Sequence, residues 1–511
     1  MMVTERGGPS AYAVVVARNG TSNGSAPTPR IVIVGAGFGG IGLAIRLKQS
    51  GIDSFTILEK GDGVGGVWHD NSYPGLTCDI PSHLYSFSFE PKHDWSRRFP
   101  PREEILEYLH RCIRKHGVED HLQLGTEVAA ADFDEPAGVW RLRTADGERI
   151  DAEVLVAATG QLSRPAYPAL PGLEGFSGPV FHSARWDHDL DLTGRRVAVI
   201  GTGASAIQFV PEIAPRVERL HLFQRSAPWV VRKPDRLYGS RERRLYQRLP
   251  AVQRLSRAWD YLFYETFVLA FTRLRVLMRP FELLTRRRLR SEVPDPELQA
   301  KLEPDYPMGC KRILLSDDWY ASLQRTNVEV VSERISSIEP DRIVADGGVE
   351  RPVDAIIMAT GFRATEFLSP MAISGLGGRD LNEAWRDGPE AYLGLTVSGF
   401  PNMFILYGPN TNLGVGSVLY MLESQIRYVI DSIRKLRATG ARYIDLRPEV
   451  QRAFNAELQR RLRDSVWATG CASWYRTESG RVTNNWPGLT LDYRVRTRHL
   501  ELADYRVAGT G

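Results

Sequence analysis

Two stretches of the chain repeat one order of hydrophobic and polar positions. The first, "RIVIVGAGFGGIGLAIRLKQSG" (30–51), has four β-branched residues, a glycine cluster, and apolar residues recurring every three or four positions. A β-branched run closed by glycine predicts a buried strand, and the 3.6-residue period predicts an amphipathic helix. The second, "RRVAVIGTGASAIQFVPEIA" (195–214), follows the same plan. Each leads into another short apolar strand, "SFTILEKG" (54–61) or "RLHLFQRS" (219–226). Later, "DAEVLVAATG" (151–160) and "DAIIMATGF" (354–362) form a further pair, both apolar and both containing Ala-Thr-Gly. The pattern predicts two strand–helix–strand units with parallel sheets.

The glycines give these units a chemistry. Gly35, Gly37 and Gly40 make a GxGxxG between a strand and a helix. There the first glycine permits the turn, the second admits a pyrophosphate to the backbone, and the third lets helix and strand pack closely. Gly201 and Gly203, with Ala206, make the GxGxxA counterpart, and Thr202, Ser205 and Gln208 belong to the same loop and helix start. The residue 24 positions past the first glycine is Glu59 in one unit and Arg225 in the other. A carboxylate accepts hydrogen bonds from a plain ribose diol, whereas a guanidinium pairs with a 2′-phosphate. The second loop is therefore expected to hold NADP(H), and the first a different dinucleotide, FAD. The fold class expected is α/β, with two Rossmann-like domains. An NADP domain (165–355) is inserted in a discontinuous FAD domain (30–164 and 356–511), after a flexible tail (1–29). The Ala-Thr-Gly strands mark the crossings.

Composition narrows the partners. The 511 residues allow about two to four domains. A net charge of +4 from 65 basic and 61 acidic residues gives no polyanion-binding design, so nucleic acid is not expected. Cys78, Cys112, Cys310 and Cys471 form no CxxC and no metal-ligand spacing. They are expected as reduced thiols, without a metal, in the cytoplasm. The low-charge run Trp259–Phe271 is shorter than the roughly 20 residues a bilayer span needs, and the patch Ala11–Ala17 is at the lower limit for a signal-peptide core.

In its two glycine loops and paired Ala-Thr-Gly turns the chain resembles the type I Baeyer–Villiger monooxygenases, a branch of the flavin-containing monooxygenases. The connector "FSGPVFHSARWDH" supplies their FxGxxxHxxxW motif as Phe176, Gly178, His182 and Trp186, with Asp187 at the following position. N- and S-oxygenating relatives typically lack the tryptophan. The segments "GGVWHDNSYPGLTCDIPSHLYSFSF", "CKRILLSDDWY", "GFPNMFILYGPN" and "SWYRTESGR" extend the likeness over about 30–500.

The resemblance implies FAD, NADPH and O2 converting ketones to esters or lactones through a peroxyflavin and a tetrahedral adduct. Arg312 would be the fixed cation over the flavin, Asp79 its partner carboxylate, and Lys311 a second contact to the 2′-phosphate. Val67, Trp68, Tyr85 and the backbone of Val128 would contact FAD, and Trp474 would lie on a loop covering NADP. His182 is given no proton-transfer role. Phe176 and Trp186 are expected as a packing pair in a hinge between the domains. The arginine-rich region about 236–305 is expected as a helical insertion packing on the NADP domain, with peripheral membrane contact the lesser alternative. An N- or S-oxygenating monooxygenase is the alternative function, and a non-catalytic NADP-sensing protein a third reading.

Overall fold

The structure, a computed structural model, describes residues 28–468, 471 and 473–509. The tail expected over 1–29 lies outside the described residues as far as residue 27. Two five-stranded parallel sheets organise the chain. The first runs in the order Met403–Ile405, Val154–Ala157, Ile31–Val34, Phe55–Leu58, Leu122–Gln123. The second runs Val328–Val331, Arg219–Phe223, Arg196–Ile200, Ala355–Met358, Val180–His182. Ile31–Val34 and Ala355–Met358 are buried along their whole length, because parallel sheets are covered on both faces. This is why the strands read as apolar runs without alternation.

The duplication extends to atomic contacts. Gly35 sits at φ +108°, and a Cβ there would lie 2.6 Å from the Ala158 carbonyl oxygen. Gly201 sits at φ +110°, and its Cβ would lie 2.4 Å from the Ala359 carbonyl oxygen. Both carbonyls belong to the Ala-Thr-Gly turns, so each turn is the neighbour against which a glycine loop closes. Only glycine combines that φ with that approach. At Gly40 a Cβ would fall 2.0 Å from the Gly35 carbonyl oxygen, inside the same turn.

One crossing differs from expectation. Ala355–Met358 pairs with Arg196–Ile200 and Val180–His182, so this strand belongs to the second sheet. The chain leaves that sheet after Met358, whereas the sequence placed the boundary at 355/356, before the strand was complete.

The connector motif is the edge of the second sheet. Val180–His182 pairs with Ala355–Met358, and a Cβ on Gly178 would lie 2.3 Å from the Asp354 carbonyl oxygen. Phe176 and Trp186 are not a packing pair. Phe176 packs against the cluster on one face of the sheet and Trp186 against the cluster on the other, at 5.3 Å from Phe181 and 5.2 Å from Phe209. An edge strand separates them, which spacing along the chain does not reveal. Asp187 Oδ1 accepts from the Asp189 amide in the turn that follows.

His182 is fully buried, its Nδ1 accepting the Ala184 amide at 3.0 Å. Burial lowers its pKa from 6.5 to about 4, and does the same to His83, which stacks on Tyr238. In the unfolded chain both imidazoles would take protons near 6.5. Their contribution to stability is therefore full above that pH and lost as the pH falls toward 4. Thermal unfolding midpoints should drop across this window, and His182→Gln should flatten the slope. An unchanged slope would place the acid sensitivity elsewhere.

The arginine-rich insertion forms the helices Ser240–Arg248, Pro250–Thr272, Arg279–Glu292 and Pro296–Leu302. It bridges both units rather than packing on the second alone. Arg257 donates to the carbonyls of His83 and Ser86 at 2.8 and 2.9 Å, and Arg98 pairs with Asp260 at 2.8 Å. Leu289, Val293 and Leu302 join the core of the second unit. Among the described residues no helix is long and apolar enough to cross a membrane.

Candidate active site

Both sheets present the carboxyl ends of their strands, with the glycine loops, to one cavity of about 1250 Å³. That exceeds the roughly 300–1,000 Å³ typical of a single small-molecule site. Gly35, Gly37, Glu59, Val67, Trp68, Asp79, Tyr85 and Val128 line it from the first unit. Gly201, Thr202, Gly203, Ser205, Gln208, Arg225, Lys311, Arg312 and Trp474 line the remainder. Of the cofactor-binding residues read from sequence, Gly40 alone stands back, as the contact between helix and turn. The connector residues Phe176, Gly178, His182, Trp186 and Asp187 do not line the cavity.

At the first loop, Glu59 directly follows the strand Phe55–Leu58, its Oε2 accepting from the Ala36 amide at 2.7 Å and its Oε1 from the Gly61 amide at 2.8 Å. Trp68 donates through Nε1 to the Tyr85 hydroxyl at 3.0 Å, which fixes both rings as a wall. At the second loop, Gly203 faces open space and Arg225 is exposed. Lys311 Nζ donates to Ser226 Oγ at 2.6 Å, and burial, followed by the field of Arg225, lowers its pKa. Gln208 works across the units: its amide donates to the Thr77 carbonyl at 3.0 Å and its Oε1 accepts from the Tyr73 hydroxyl at 3.1 Å.

Arg312 lies between the two units. Its Nε donates to Asp79 Oδ2 at 3.0 Å, and its Nη2 contacts the same oxygen. The carboxylate raises the guanidinium's pKa further above its ordinary value, so the positive charge is permanent. Tyr407 and Tyr475, which sequence reasoning missed, lie within the field of Arg312, and burial pushes Tyr475 up to about 12. Both lie in segments that carry the family likeness, "GFPNMFILYGPN" and "SWYRTESGR", which was the signal that could have found them.

The cysteine expectation needs correction. Cys310 and Cys471 form a disulfide with Cα atoms 6.3 Å apart across 161 residues of chain, while Cys78 and Cys112 are free and buried. Absence of a CxxC excludes a local pair only; the carboxyl-terminal loop brings Cys471 to the arginine loop. The bridge ties the residue before Lys311 to the loop carrying Trp474. It also removes half of the thiol argument for a reducing compartment.

Several polar atoms await partners. Gln161 Oε1, Gln224 Oε1 and Ser473 Oγ are buried, belong to residues lining the cavity, and make no hydrogen bond among the described residues. Buried polar atoms are normally satisfied. With two glycine loops, one acidic and one basic strand end, and this volume, the residues present fit two dinucleotides. Among the described residues no His/Cys/Asp/Glu group could hold a metal ion.

Comparison with known proteins agrees with that geometry. A family model described as pyridine nucleotide-disulphide oxidoreductase matches residues 32–253. The chain is 46% identical over 492 residues to a Baeyer-Villiger monooxygenase of Pseudomonas aeruginosa, covering 95% of this chain and 93% of that protein. It is also 46% identical over 480 residues to a Baeyer-Villiger monooxygenase of Streptomyces coelicolor, covering 94% and 92%. A solved oxidized steroid monooxygenase bound to NADP superposes with a TM-score of 0.85 at 32% identity, covering 94% of this chain and all of that one. A closed cyclohexanone monooxygenase gives 0.84 at 27%, covering 94% and 99%.

Proposed function

This chain belongs to the type I Baeyer–Villiger monooxygenases, and on that premise we propose how its own residues divide the work. It is an NADPH-dependent flavoprotein that oxygenates ketones to esters or lactones. The chemistry the flavin supplies when bound is acceptance of a hydride from NADPH and activation of O2. FAD is assigned to the first loop, with Glu59 on the ribose diol and the Trp68–Tyr85 wall beside it. NADPH is assigned to the second, with Arg225 and Lys311 on the 2′-phosphate.

Arg312 is the catalytic cation. It meets the negative charge that develops on the ketone oxygen when the carbonyl is attacked, and it does so from a pocket wall where water screens it less than in bulk. Asp79 orients the guanidinium and offsets the cost of partly burying it. Trp474 and the disulfide-tied loop limit water at the same wall. The observation that supports this reading best is the Arg312–Asp79 pair lining one cavity with both glycine loops.

The test is a ketone panel supplied with NADPH and labelled O2. Esters or lactones carrying one labelled oxygen are expected by mass spectrometry. N-oxides or sulfoxides without any ester would overturn the reading.

A further inference from the structure

The insertion carries a feature the oxygenation chemistry does not use. Of the 22 large hydrophobic side chains exposed among the described residues, 13 fall between Leu245 and Leu284. Leu255 and Trp259 stand 71% and 72% exposed on the helix Pro250–Thr272, and Leu262 continues the stripe. Leu283 and Leu284 extend it on Arg279–Glu292, and Phe267 joins the two helices with its ring 5.1 Å from that of Phe281. So concentrated a patch marks an interaction surface.

Charge identifies the occupant. Residues 240–292 hold thirteen arginines and five carboxylates, a net +8 within a chain of net +4, so everything else is net −4. The five carboxylates are engaged internally: Glu242 with Arg236, Asp260 with Arg98, Glu265 with Thr490, Glu282 with the Met308 amide, Glu292 with Arg232 and Arg288. Nine exposed arginines, Arg273, Arg275 and Arg279 among them, form no salt bridge among the described residues. A second copy seated face to face here would set these unpaired cations against their own kind. An anionic lipid surface matches both properties, taking the leucines and tryptophan below the headgroups and the arginines among the phosphates.

We propose that this face of the insertion docks the enzyme peripherally on anionic membranes. The inner side of the same helix faces the active site: the Tyr264 Cβ lies 3.7 Å from where a Cβ on the cavity-lining Gly416 would be. Docking thus sets the cavity one helix, about 10 Å, from lipid.

Flotation of the purified holoenzyme with vesicles tests it. Binding is expected to phosphatidylcholine mixed with phosphatidylglycerol, at least about tenfold stronger than to phosphatidylcholine alone, and weakened by salt. Trp259→Ser with Leu284→Ser, and separately Arg273→Glu with Arg275→Glu, should each weaken binding at least about tenfold. NADPH oxidation with a small water-soluble ketone should be unchanged in both, since these residues lie outside the cavity lining. Equal binding to both vesicle types, or variants that bind undiminished, would overturn the proposal. So would light scattering showing that the Trp259→Ser, Leu284→Ser protein is a monomer where the parent is a dimer, which would assign the patch to a second copy.

Discussion

Replacing Arg312 with alanine should leave FAD bound and reducible by NADPH while ester formation falls roughly 10²- to 10³-fold, the loss that follows removal of one preorganised stabiliser of developing oxyanion charge. The expectation rests on where the side chain sits. Arg312 reaches the cavity from the second unit, and Asp79 reaches it from the first. Neither residue belongs to a glycine loop or to a strand end such as Glu59, so the nucleotide contacts survive the change. Arg312→Lys is the sharper comparison. Lysine keeps the charge but loses the planar fork that engages Asp79 through two nitrogens, so partial activity is expected. Stopped-flow reduction of the flavin and ester yield by mass spectrometry read the two halves separately. Unchanged ester output from the alanine variant would falsify the role assigned to the guanidinium.

Arg225→Ala should raise the KM for NADPH about 30- to 150-fold and leave NADH use nearly unchanged. A charge-assisted contact to phosphate contributes roughly 2–3 kcal/mol, and 1.4 kcal/mol corresponds to about tenfold. Arg225 is exposed at the second loop, so its removal leaves no buried charge uncompensated and little cost to folding. Lys311 keeps part of the affinity from the other side of Ser226, to which it is hydrogen-bonded at 2.6 Å. Steady-state kinetics with both nicotinamides provide the measurement. Equal losses for NADPH and NADH would mean that Arg225 supports the loop and does not read the phosphate.

These two residues differ in how they could be found. Arg225 was legible from spacing, because the position 24 residues past the first glycine repeats between the units and only its charge changes. Arg312 had no such signal; a Lys-Arg dipeptide reads as solvated surface, and the resemblance alone marked it. The long-range contacts were invisible in the same way. Gln208 ties the second unit to Thr77 and Tyr73 of the first, and Cys471 crosses 161 residues to Cys310. Phe176 and Trp186, ten residues apart, fall on opposite faces of a sheet.

The sequence by itself determined the two glycine turns, the parallel sheets that follow them, and the charge of the residue 24 positions past each first glycine. These features are local: a φ near +110° and an apolar strand are set by residues within a few positions of each other. Only the tertiary structure decided which groups meet in the cavity, which thiols pair, and where the insertion buries one side and exposes the other. Those outcomes depend on how separate segments pack across hundreds of residues, and a linear pattern carries no term for that distance.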